Sequence, residues 1–222
     1  MALFIKHEDG VTRPAQLINM DERQLPQFLK LYAAASPAPL IAAQFYPHPE
    51  QAYCDMLLGG EMWGLVSGDK LVAAAGWYMP AASQRDCLCG EEKVSFAALT
   101  GSFVLPQTAL QQPQLHLIRR CVCRALQESG CTAIHAYSPL RDGAHIALLL
   151  QEGFSLCGFD EAVRCLPRYV FCKKQRMGCR DISFCLPLAD SYRITRALAD
   201  GAIGFAVGQR QGEQVLWMGY ET

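Results

Sequence analysis

The sequence contains no Cys-x-x-Cys and no His-x-x-x-His, so the ligand spacings typical of structural zinc are missing and no metal site is expected. No window approaches the roughly 18 consecutive apolar residues that span a bilayer. Met1 to Gly10 has one lysine and neither the apolar stretch nor the small-residue cleavage site of a secretory leader. Membrane insertion and secretion are therefore not expected. An excess of one charge is missing too: 20 Lys+Arg face 21 Asp+Glu, a formal net charge of −1, which recommends neither nucleic acid nor an anionic membrane as partner. There is no Gly-x-Ser-x-Gly, no Walker loop and no GxGxxG after a strand pattern, which removes the usual signatures of a nucleophile elbow, a nucleotide loop and a dinucleotide fold.

What is present is a globular composition. The 222 residues are 51% hydrophobic and 18% charged, enough to bury a sizeable core as one ordinary domain plus an extension. The eleven cysteines are odd in number and scattered through helix and strand patterns, which fits reduced thiols in a cytoplasm better than a disulfide framework. Cys121 and Cys123 fall two apart on a predicted helix, so they point about 200° away from each other and cannot chelate one ion. Basic clusters at Arg119, Arg120 and Arg124, and at Lys173, Lys174, Arg176 and Arg180, read as solvated faces.

Along the chain, Ala15 to Asn19 is a first strand, Asp21 an N-cap, and Leu25, Phe28, Leu29 and Tyr32 an amphipathic helix. A second helical pattern opens at His48 and stops at Gly59-Gly60. Met62 to Ser67 and Lys70 to Met79 form a hairpin about Gly68-Asp69, and Lys93 to Leu105 reads as one long strand. Pro113 suits the first position of a helix through Leu126, closed by Gly130. Cys131 to Ser138 is a strand, Asp142 caps a short helix stopped by Gly153, and strands follow at Phe154 to Phe159 and Arg168 to Lys173. Strand, helix, strand in succession predicts a right-handed crossover and a parallel pair, hence a mixed sheet. The tail reads as a strand at Ile182 to Leu186, a helix at Ser191 to Ala199 and a hairpin from Ala202 to Val207 and Val215 to Met218. It loosely echoes the N-terminal strand-helix-hairpin, as a partial repeat or by chance.

This order resembles the GCN5-related N-acetyltransferase family from about Ala15 to Lys174. Gly153-Phe154, after a short helix and before a strand, looks like that family's terminal glycine-phenylalanine signature, and Gly130-Cys131 at the start of the fifth strand looks similar. The resemblance implies an α/β protein of the α+β type with a mixed sheet, a domain over residues 1–174 and a C-terminal strand-helix-hairpin extension over 175–222. It implies an acyl group moved from acetyl-CoA or another acyl-CoA to an amine on a small molecule or a protein. In that fold the backbone of Phe103, Val104 and Leu105 pairs with the pantetheine arm as an added strand.

The family's phosphate loop, aimed by glycines and a helix N-terminus, would fall on Ala109, Leu110, Gln111, Gln112 and Gln114. Ala109, Gln112 and Gln114 stand at its three signature positions and match none of them, and Pro113 removes one N–H donor. Leu149 replaces the family's tyrosine near the departing thiolate, and Asp142 replaces an asparagine seven residues earlier. Tyr137 is the residue best placed to act in that tyrosine's stead. His135 and His145 are ionisable near neutrality, and each of the three is equally consistent with packing or exposure. An alternative is a non-catalytic module that keeps the fold and has lost the cofactor site. A homodimer built by the tail is a third option.

Overall fold

The computed structural model describes residues 3–6, 9–35, 50–79, 96–99, 103–104, 112–160, 167–174 and 180–221. The chain divides into two compact units, Met1–Glu91 with Ala97–Gly130, and Glu92–Phe96 with Cys131–Thr222.

The first unit is an antiparallel sheet of β1 (Leu3–Lys6), β2 (Thr12–Asn19), β3 (Met62–Ser67) and β4 (Lys70–Tyr78), each paired with the next. Between β2 and β3 stand a 3-10 turn (Glu22–Gln24), α1 (Leu25–Ala35) and α2 (Glu50–Leu58). Asp21 starts the turn with a capping box: its carboxylate accepts from Arg23 N–H at 2.9 Å, while Gln24 Oε1 accepts from Asp21 N–H at 2.9 Å. The apolar stripes of α1 and α2 bury Phe28, Leu31, Tyr53, Met56 and Leu57 against Met62, Leu71 and Ala74 of the sheet. Strand β1 is not expected from the sequence, because four residues are too few for periodicity to register.

The run that reads as one strand from Lys93 to Leu105 is two among the described residues, β5 (Phe96–Leu99) and β6 (Phe103–Val104), both antiparallel to β4. Trp77 faces Leu99, and Ala74 faces Phe103. The unit closes with α3 (Gln112–Glu128), which packs on β4 and β3. Pro113 is its second residue, where the N–H is still an orphan, so no helical hydrogen bond is lost. Arg119 on this helix is buried at 5% exposure, against the expectation of a solvated face; Arg120 and Arg124 are exposed.

In the second unit β7 (Ala133–Pro139), α4 (Gly143–Gln151), β8 (Ser155–Asp160) and β9 (Arg168–Lys174) are followed by β10 (Arg180–Pro187), α5 (Ser191–Ala199), β11 (Ile203–Arg210) and β12 (Glu213–Glu221). The sheet order is β7-β9-β8-β11-β12-β10, and each of these neighbours pairs antiparallel. The crossover from β7 through α4 to β8 does not make a hydrogen-bonded parallel pair, because β9 inserts between the two strands. Lys173, expected on a solvated face, donates to Glu152 O at 2.7 Å at the C-terminus of α4 and lies 5.6 Å from the Phe154 ring centroid. The tail's topology differs from the N-terminal one: β10 pairs with the second strand of its hairpin, β2 with the first.

Candidate functional site

The residues expected from the sequence fall in both units. In the first, β6 and α3 both pack on β4. The Phe103 ring is fully buried, 4.8 Å from Tyr53 and 5.5 Å from Phe28 in edge contacts, so its side chain belongs to the core and only its backbone is open to another role. Val104 pairs with Ala73 of β4. Gln112 opens α3 and Gln114 lies in its first turn, where the amide dipoles of a 17-residue helix favour an anion. Leu105, Ala109, Leu110 and Gln111 lie outside the described residues.

In the second unit, Tyr137 and Asp142 flank one connection. Tyr137 is half-buried on β7 opposite Val170. The Asp142 carboxylate accepts from His145 N–H at 3.0 Å as the N-cap of α4, which commits it to the helix. Leu149 on that helix is 1% exposed. Gly153, with φ +85°, ends α4 in a conformation that L side chains resist, and Phe154 comes next, fully packed at 1% exposure.

His135 on β7 is fully buried. Burial, with a smaller contribution from the Lys174 ammonium, lowers its pKa from 6.5 to about 4. The imidazole is therefore neutral at pH 7, and its burial keeps it from solvent. Tyr169 on β9 is equally buried. Its hydroxyl has no hydrogen-bond partner among the described residues, and burial with the Asp190 carboxylate pushes its pKa up to about 12. Cys54 and Cys121 are held above the usual thiol range, chiefly by burial, so neither is an activated thiolate. Among the described residues no cluster of three His, Cys, Asp or Glu side chains is arranged to hold a metal ion, and no helix is long and apolar enough to cross a membrane.

No family model and no curated protein matches the chain. Solved structures do. The ribosomal-protein-S18-alanine N-acetyltransferase of Escherichia coli superposes with a TM-score of 0.52 at 15% identity, over 77% of this chain and 99% of that one. An acetyltransferase of the GNAT family from Bacillus anthracis gives 0.51 at 10% identity, over 78% and 98%. The Salmonella typhimurium protein yncA, solved with its cofactor acetyl-CoA, gives 0.54 at 12% identity, over 73% and 94%. The chain has the GCN5-related N-acetyltransferase fold, a mixed α+β architecture. Those structures are matched almost whole, and roughly a quarter of this chain lies outside the likeness.

Proposed function

We propose that the protein is an acyl-CoA-dependent N-acyltransferase that moves an acetyl or larger acyl group to an amine on a small molecule or a protein. The observation that carries this reading is the fold's likeness to solved N-acetyltransferases, with β6 and α3 both packed on β4. The flank of β6 turned away from β4 is the backbone edge on which the two amides of a pantetheine arm would pair. The N-terminus of α3, packed on the same β4, supplies dipole attraction for the pyrophosphate even without the family's glycines. Acyl transfer then needs only a positioned amine. Its nitrogen attacks the thioester carbonyl, the C–N bond forms as the C–S bond breaks, and the amine proton ends on the departing sulfur. Tyr137 is the residue the family resemblance offers as proton donor, its own proton being replaced by the amine's. Isothermal titration with acetyl-CoA tests the reading: saturable binding with one site per chain is expected, and no heat with no thermal shift at millimolar ligand overturns it.

A second reading, a non-catalytic module, is favoured by one observation. Leu149, at the family's tyrosine position, is buried and has no proton to give. Turnover of acetyl-CoA with any member of an amine panel, lost in Tyr137→Phe, decides against it.

A further inference from the structure

The second half of the second unit repeats the first half at a constant spacing. Pro139, Leu140, Asp142, Ile146, Leu150 and Gly153 recur 48 residues on as Pro187, Leu188, Asp190, Ile194, Leu198 and Gly201. The backbone repeats more closely than the side chains do. Asp142 and Asp190 cap α4 and α5 at φ/ψ of −92°/73° and −87°/73°, each accepting from the third N–H onward, at 3.0 Å from His145 and 3.1 Å from Arg193. Both helices end on a glycine at φ +85°. The ladder of β8 on β9 slips between Leu156 and Gly158, and that of β11 on β12 between Gly204 and Ala206, the same 48 residues apart. In each half the last strand inserts between the two joined by the helix.

The halves also meet as equivalents. β8 and β11 pair antiparallel at Leu156 and Gly204, which are the same position in the two copies. A residue that pairs with its own equivalent lies on a local two-fold axis. The helices obey the same axis, α4 packing on β11 and α5 on β8. Gly204 makes the approach feasible: a Cβ there would stand 3.2 Å from Leu156 Cβ and 3.1 Å from the Leu216 methyls.

We infer that β10–α5–β11–β12 is a duplicate of β7–α4–β8–β9 that occupies, within one chain, the place a second protomer takes in an isologous dimer. The edge of β8 and the outer face of α4 are an interaction surface whose partner is the duplicate itself. That surface is closed in cis and unavailable to another copy. This inference is independent of any cofactor or activity.

The test is hydrogen exchange and light scattering on the full chain, wild type against Gly204→Leu. The wild type is expected to keep its β8 and α5 amides protected at concentrations where the mass is that of one chain. In Gly204→Leu, the amides of β8 and of α5 should exchange together, at least about tenfold faster, as the halves part at the axis. Leu156→Ala, which removes bulk instead of adding it, gives the same paired loss should the first variant not fold. A wild-type dimer whose β8 and α4 amides lose protection on dilution overturns the inference. So does a variant that loosens one half and leaves the other unchanged.

Discussion

At the scale of single residues, three side chains carry separable expectations. His135 binds its proton at a pKa near 6.5 in the unfolded chain and only near 4 in the folded one. The unfolded state therefore holds more protons between those values. The contribution is fully present above pH 6.5 and declines as pH falls toward 4, by up to about 3 kcal/mol. Urea titrations across that window should lose this slope in His135→Phe. Tyr169 is the opposite case, a buried hydroxyl with no partner among the described residues. Tyr169→Phe should leave stability unchanged or raise it by about 1 kcal/mol in thermal unfolding, and a clear loss would reveal a bridging water. Tyr137→Phe should lower kcat about 100-fold with little change in the KM for acetyl-CoA, the signature of a proton donor as opposed to a binding contact.

At the scale of elements, caps and bulges set the geometry. The N-caps of α4 and α5 are equivalent, so Asp142→Ala and Asp190→Ala should each cost about 1 kcal/mol of unfolding free energy, read by denaturant midpoint at constant slope. The cap of α4 is legible in the sequence, because an aspartate before an apolar periodic run and a glycine after it is a local signal. The separation of β5 from β6 is not legible there, because the hydrophobic run from Lys93 to Leu105 reads as one strand. Arg119 departs from expectation for a related reason. A charge cluster reads as solvated by composition, but a guanidinium on a long apolar stem follows the face of the helix that carries it.

At the scale of the whole molecule, the duplication covers β7 to β9 and not α3, whose 17 residues exceed the five that separate Lys174 from Arg180. The second copy therefore has no counterpart of α3, and Cys185 stands where the first copy has Tyr137. A single acyl-CoA per chain is expected, and a titration with two equivalent sites would contradict it. The sequence by itself determined the element order, the caps and the likeness to the acetyltransferase fold, because hydrophobic period, aspartate and glycine act within a few residues of one another. Only tertiary structure decided that β9 lies between β7 and β8, that His135 is neutral, and that the tail meets its neighbour about a local two-fold axis. Strand pairing, desolvation and local symmetry depend on which distant segments meet.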